Sequence, residues 1–513
     1  MRQALAASPF VLLAIIVVLS LGGLAVRSGL MPDDSLMLWA SAVTAGGGEV
    51  PIGRILAGYP TIPFLATTLL ELILPANTPT PALLAALLLG SLAGGWFLVF
   101  RSVGLASPIA AGFALVLSFH PALLRAAVAG PAEMFMVLFL VMLANALYDL
   151  RARSATPEVM AVGLALLGLS FSHPIGAAIA CAVTPLLVFT VRPALVANSA
   201  LNVVVALVFP TVFCVGAFVY VAWVFPGGGW SFLTAPAESL ATWSSGVSRV
   251  LGTGIGGSLA IAAAISTLCA LALGAPLAAY ALAQVYRRRP LVAPPAVLVA
   301  ALVIAAMVSV ITGLFGDPAA VLVGAPVLAA VAIARVPVAR ERLRLAAVLL
   351  AAGWGGGAVA IAIGDPATAG HVRGAIHGGR GDRERADALI LGGATVGKEG
   401  VLVDSFNAPA VVLGRGSARG LVPPSGEAFA LALLFGRIET PYVAVPKPQS
   451  AIGAQDRLNK AFPALYWRGA PGYRLIYQNE SWRLFARAVT QGQFTNASSA
   501  DRTIAPKPQW RSP

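Results

Sequence analysis

The stretch LAAVLLAAGWGGGAVAIAI, residues 345–363, has no charged side chain over a length close to the roughly 20 residues that a helix needs to cross a bilayer. GDPATAGHVRGAIHGGRGDRERADALI, residues 364–390, follows at once and is rich in Gly, Arg and Asp. This junction divides the chain into a membrane part and a part that reads as soluble. Up to Gly364 there are 16 Arg, no Lys and 10 acidic residues; the remaining 149 positions hold 14 Arg, all 4 Lys and 11 acidic residues.

Towards the N-terminus, similar apolar runs occur near residues 9–26, 81–100, 104–119, 131–148, 158–172, 174–190, 201–225, 257–284, 291–312 and 318–334. With residues 345–363 they give eleven expected spans. The whole chain of 513 residues agrees: 58% of it is hydrophobic and 11% charged, against about a quarter charged in soluble domains. An ordinary soluble enzyme is excluded. The net charge of +13 would suit nucleic acid only if the basic residues were gathered on one solvated face, and their spacing points instead to membrane topology.

That topology turns on PTIPFLATTLLELIL, residues 60–74. If this run is an interfacial or re-entrant helix, alternate loops place Arg2, Arg101, Arg151, Arg153, Arg192, Arg287, Arg288, Arg289, Arg335, Arg340, Arg342 and Arg344 on one side. Arg27, Arg54, Arg125 and Arg249 remain opposite. Basic loops face the cytoplasm, so the N-terminus is expected there and the C-terminal part outside. Residues 1–26 read as a retained helix, because no convincing signal-peptide cleavage site follows them.

The expected fold class is mainly α: a polytopic membrane helical bundle over 1–364, with interfacial helices in the first external loop. A small external α/β domain is expected over 365–490 and a disordered tail over 491–513. Within the α/β domain the patterning predicts helices at 382–392 and 425–436. Strands are predicted at 401–404, 410–413, 441–445, 472–478 and 481–487, the last two forming a hairpin across Asn479 and Glu480. Cys181, Cys214 and Cys269 lie in apolar runs without a CxxC or Cys/His cluster, which argues against disulfides and structural zinc. GGATVGK (392–398) lacks the Ser or Thr of a P-loop, having Glu399 instead, and GTGIGG (252–257) follows no clear strand; neither is read as a nucleotide site.

Asp33, Asp34, Glu49, Glu133, Glu238 and Asp317 fall on or near the expected outer side. Asp317 and Glu238 read most simply as acids that avoid basic loops. Asp33 and Asp34, in VRSGLMPDDSLMLW (26–39), stand at the expected bilayer boundary, where adjacent carboxylates are costly unless solvated, paired or metal-bound. They read either as a helix N-cap or as a base with an orienting partner. Arg54 and Arg125 are two of the four Arg on the outer side, and their forked guanidinium suits an anionic group. His120 and His173 each precede a proline at a helix end, and Glu133 opens a span. Trp223, Trp230 and Trp243 read as interfacial anchors or as a sugar-stacking surface.

The acidic pair, followed in the same external loop by Tyr59, Pro60, Pro63 and Phe64, resembles the GT-C superfamily of membrane glycosyltransferases. It is most similar to the branch of protein O-mannosyltransferases and lipid A aminoarabinose transferases. RAAVAGPAEMFMVLFLVMLANALY, with Glu133, and GLALLGLSFSHPIGAA, with His173, extend the resemblance, as does a C-terminal external domain. The chain departs from that pattern at Met37, where Tyr is common, and it lacks the Lys that usually precedes the Pro-Pro.

The resemblance implies an enzyme, a multi-pass protein of the cell inner (plasma) membrane whose C-terminal domain is periplasmic or extracellular. It would transfer a sugar, with inversion, from a polyprenyl-phosphate donor to a hydroxyl acceptor in a glycan, lipid or protein at the outer face. Asp33 and Asp34 would be base and orienting carboxylate, and would hold a divalent cation if the reaction uses one. Arg54, Tyr59, Arg125, Glu133, His120 and His173 would bind donor phosphate or substrate. Membrane lipids are expected partners and nucleic acid is not. A transporter or lipid flippase, or a noncatalytic assembly subunit of the same fold, are the competing readings.

Overall fold

The computed structural model describes residues 2–27, 31–47, 60–74, 78–153, 155–191, 193–224, 259–285, 292–335, 342–365, 370, 383–424 and 426–488. The chain forms two compact units. The first comprises Met1–Val396 and Ser405–Arg419, the second Gly397–Asp404 and Gly420–Pro513. The division therefore falls later than the change of composition at Gly364.

The first unit is helical. In chain order it contains α1 (Arg2–Arg27), α2 (Asp33–Gly46), α3 (Thr61–Ile73), α4 (Thr80–Ser102), α5 (Ser107–Ser118), α6 (Pro121–Ala129) and α7 (Pro131–Ala152). There follow α8 (Thr156–Ser172), α9 (Pro174–Leu186), α10 (Pro193–Val224), α11 (Leu259–Gly274), α12 (Pro276–Val285) and α13 (Ala293–Thr312). A 3-10 turn (Pro318–Val323) leads into α14 (Gly324–Arg335), then come α15 (Leu343–Gly364) and α16 (Arg383–Ala394). Trp96, Phe97, Phe100, Met136, Leu140 and Leu147 lie in its main core.

Among the described residues, five helical segments are long and apolar enough to cross a membrane: α4, α7, α13, Pro318–Arg335 and α15. The bent pairs α5–α6 and α11–α12 raise the number to seven if each is one span. Eleven uniform spans are thus not what the backbone shows. The apolar windows in α1, α3, α8, α9 and α10 are shorter; the expected span 257–284 is broken by 89° at Ala275, and the one at 104–119 ends in a 54° bend at His120, beyond which α6 continues. Proline follows each break, and its ring and missing N–H prevent the preceding helix from continuing. The run at 60–74 is α3, whose 13 residues rise only about 20 Å.

The bundle has two chemically different ends. α7 runs from Glu133 to Arg151, Pro318–Arg335 from Asp317 to Arg335, and α15 back from Arg342 towards Asp365. At the basic end Arg335 donates to both oxygens of Asp149, at 2.8 and 3.0 Å, and to Asn145. Glu133, Asp317 and Asp365 gather at the other end.

α17 (Pro409–Arg415) also belongs to the first unit and packs against α2 and α16. This corrects the strand expected at 410–413. A four-residue apolar run does not distinguish strand from helix; Pro409 in the first turn and left-handed Gly416 (φ 72°) at the C-cap select the helix.

The second unit is a five-stranded mixed sheet in the order β2-β1-β3-β5-β4, built from β1 (Val401–Leu402), β2 (Leu421–Val422), β3 (Tyr442–Pro446), β4 (Tyr473–Gln478) and β5 (Trp482–Arg487). β1 is parallel to β2 and β3, while β5 is antiparallel to β3 and β4. The expected hairpin is present, closed by Asn479 Oδ1, which accepts from the N–H groups of Ser481 and Trp482. α18 (Glu427–Phe435) supplies Phe429 to a core with Val443, Val445, Leu458 and Phe485. Residues 489–513, the expected tail, lie outside the described residues.

Candidate functional site

The break at His120 begins the site. His120 caps α6: its Nδ1 accepts from the Ala122 N–H at 3.2 Å, which leaves Nε2–H to donate towards Gly274 O and Gly353 O, each at 3.2 Å. The ring therefore ties together the breaks in two helix pairs and the middle of α15. Its hydrogen bonds go to backbone, so a direct role on phosphate finds no support in its geometry. The Gly-rich turn of α15 makes room for it, since a Cβ on Gly357 would lie 2.5 Å from His120 Cε1. Gly357→Ala is expected to lower stability by about 1–3 kcal/mol through overpacking, measured as a lower unfolding temperature in detergent.

One turn into α6 stands Arg125, buried at the acidic end. Its Nη1 donates to both carboxylate oxygens of Glu133, at 2.9 and 2.7 Å. Nη2 donates to Asp317 Oδ2 and Nε to Asp365 Oδ2, each at 2.7 Å. A planar fork with five donors suits this arrangement where an ammonium would not. The guanidinium so joins α6 to the starts of α7 and of the 3-10 turn, and to the end of α15.

Gly130 links α6 to α7 with φ 128° and ψ −172°, a conformation essentially restricted to glycine. Ser35, buried in the first turn of α2, donates its Oγ proton to Ala129 O at 2.5 Å. A Cβ on Gly130 would fall 2.1 Å from that Oγ. The absent side chain thus lets the start of α2, with Asp33 and Asp34, close on the α6–α7 corner.

Pro32, and neither aspartate, is the N-cap of α2; Asp33 and Asp34 lie in its first turn and make no side-chain cap bond. Carboxylates in a first turn are favoured by the helix dipole, so both aspartates also suit a helix start. Asp33 is exposed and accepts from Arg385 Nη2, while Arg385 Nη1 donates to Met31 O at 2.6 Å. Asp34 stands at the rim, open to solvent on one edge yet crowded by protein atoms. Loss of water, then Asp33, then Asp317 raise its pKa above the ordinary carboxylate value, an effect that rim solvent tempers. Asp317 is also raised, by burial and by Asp365, against the pull of Arg125.

His173 caps α9 through its Nδ1, which accepts from the Ile175 N–H at 3.2 Å, and its ring lies beside Gly316. It is within electrostatic reach of Arg125. The structure thus brings Asp34, Arg125, Glu133 and His173 together, places Asp33 at the rim with Arg385, and commits His120 to the scaffold. Arg54, Tyr59, Trp230 and Trp243, and the side chain of Trp223, lie outside the described residues.

Asp317 joins the cluster instead of merely avoiding basic loops, and Asp365, Ser35, Gly130 and Arg385 were not anticipated. Their available signal was position: Asp317 and Asp365 each abut an apolar span on the side that carries Asp34 and Glu133. As for the divalent cation, among the described residues no group of three or more His, Cys, Asp or Glu side chains is arranged to hold a metal, and Asp33 is engaged by Arg385. The chemistry below is derived without a metal. No protein-family model, curated protein or solved structure matches this chain, so the arrangement around Arg125 stands on its own geometry.

Proposed function

We propose that the protein is a membrane glycosyltransferase that moves a sugar from a polyprenyl-phosphate donor to a hydroxyl acceptor at the outer face of the inner (plasma) membrane. In this reading α1, α8, α9 and α10 also cross while α3 stays at the interface, giving eleven segments with each bent pair taken as one, and the Arg-rich end faces the cytoplasm. The observation that carries it is Asp34: an exposed carboxylate in the first turn of α2, with raised proton affinity, beside the buried ion cluster of Arg125.

Asp34 takes the proton of the acceptor hydroxyl, whose oxygen attacks the anomeric carbon. The bond from that carbon to the phosphate oxygen breaks, and polyprenyl phosphate leaves with the electron pair. A phosphate monoester is a stabilised anion, so no strong general acid is required. Arg125 spends its fork on three carboxylates and acts as scaffold, which leaves Arg54 as the expected phosphate ligand. Buried ionisable groups and broken helices also occur in transporters, and these two features favour that second reading.

Asp34→Asn is expected to lower transfer in isolated membranes by roughly 10²–10⁴-fold, the usual range for a lost general base. Asp33→Asn should do less, because an exposed ion pair such as Asp33–Arg385 contributes only about 0–1 kcal/mol. Since the base acts deprotonated, wild-type transfer should rise with pH through a value above the ordinary aspartate pKa. Full transfer by both variants would exclude the assignment.

A further inference from the structure

Arg125 binds three carboxylates, but they are not equivalent. The side chains of Glu133 and Asp365 are 8% and 9% exposed, whereas that of Asp317 is 29% exposed. Asp317 is also carried on a fixed turn. Phe315 and Gly316 both have left-handed backbone, with φ 72° and 81°. Ser309 Oγ donates to Gly316 O at 2.7 Å, and Asp317 Oδ1 accepts from the Ala319 N–H at 2.9 Å. A non-glycine residue such as Phe315 adopts this conformation only where its surroundings enforce it, and such residues concentrate at functional sites. His173 lies beside the turn.

From the other side, the Ser35 clamp brings Asp34 within electrostatic reach of Asp317 and of Glu133. Two carboxylates on separate elements, each with part of its surface open to solvent, thus lie within electrostatic reach of one another, one in the first turn of α2 and one at the start of the 3-10 turn. We propose that Asp317 is the second carboxylate of the acceptor site, so that Asp34 and Asp317 together grip a polyhydroxylated, sugar-bearing acceptor. Asp34 accepts the proton of the attacking hydroxyl; Asp317 accepts a hydrogen bond from a neighbouring hydroxyl and holds it in register. This rests on the transferase reading above.

The charged groups around Asp34 are Asp33 on its own helix with Arg385 of α16 behind it, Asp317 on the turn, Arg125 on α6 and Glu133 on α7. Asp365, after α15, stands across Arg125. Neutralising Asp317 removes a like charge that faces Asp34, while neutralising Asp365 does not.

Two readouts on the full-length protein test this. The first is modification of Asp34 by a hydrophobic carbodiimide, which attacks protonated carboxyls, followed by mass spectrometry across pH. Asp317→Asn should move the Asp34 labelling midpoint to lower pH by about half a unit or more, and Asp365→Asn should leave it in place. The second is transfer kinetics. Asp317→Asn should raise the acceptor KM and lower kcat/KM by roughly tenfold or more, with partial rescue by Asp317→Glu. Asp365→Asn should affect stability without changing acceptor dependence. Equal labelling shifts in both variants, or none in either, with wild-type transfer intact, would overturn the role of Asp317 alone. Shifts as expected in a wild-type chain that transfers no sugar would overturn the acceptor role together with the transferase reading.

Discussion

Arg125→Ala is expected to destabilise the first unit by about 3–5 kcal/mol, the range for removing one partner of a buried ion pair. The removed side chain is the shared cation of Glu133, Asp317 and Asp365, so the loss leaves three carboxylates facing one another without their principal donor. Thermal unfolding of the purified chain in detergent measures it. The deficit should shrink on acidification, because the orphaned carboxylates can then take up protons, and grow as pH rises and they must ionise while buried. Arg125→Lys keeps one positive charge without the fork and should fall between the two. A variant as stable as wild type would show that the cluster does not hold these helices together.

Gly130→Ala is the second large effect. At φ 128° and ψ −172° a side chain costs on the order of 1–3 kcal/mol in backbone strain, before any contact is counted. The new Cβ would also meet Ser35 Oγ at 2.1 Å, so the start of α2 must move away from the α6–α7 corner. A shift of about 1 Å in a positioned catalytic group can cost around 10²-fold in rate, and the transferase proposed above should lose transfer by about that factor. Ser35→Ala in the Gly130→Ala background removes the clash and leaves the strain. It should therefore restore part of the activity, a result that a purely global defect would not give.

Much of the helical architecture is legible in the sequence because apolar length and caps are local. Residues 345–363 announce α15, Pro131 and Glu133 announce the start of α7, and Asn479-Glu480 announces the β4–β5 hairpin. What escaped depends on distance. The fork of Arg125 reaches partners 192 and 240 residues away, and no spacing rule connects them. Position alone hinted at Asp317, whose carboxylate abuts a span. The end of a helix at His120 is legible from the proline that follows it, but the break at Ala275 is not, because hydropathy over 257–284 averages across a bend that a single proline imposes. Residues 410–413 suit a strand as well as a helix because four apolar residues fit either periodicity, and the deciding signals, Pro409 and Gly416, lie outside the run.

The proposed transferase makes a bond at the acidic end, whereas a transporter would pass its substrate across the bilayer. The full chain reconstituted into vesicles with a radiolabelled polyprenyl-phosphate sugar and a hydroxyl acceptor tests it directly. A transferase leaves label joined covalently to the acceptor, with polyprenyl phosphate released in equal amount, and Asp34→Asn loses both. Label that appears across the membrane still attached to its lipid, at equal rates in wild type and Asp34→Asn, would contradict it.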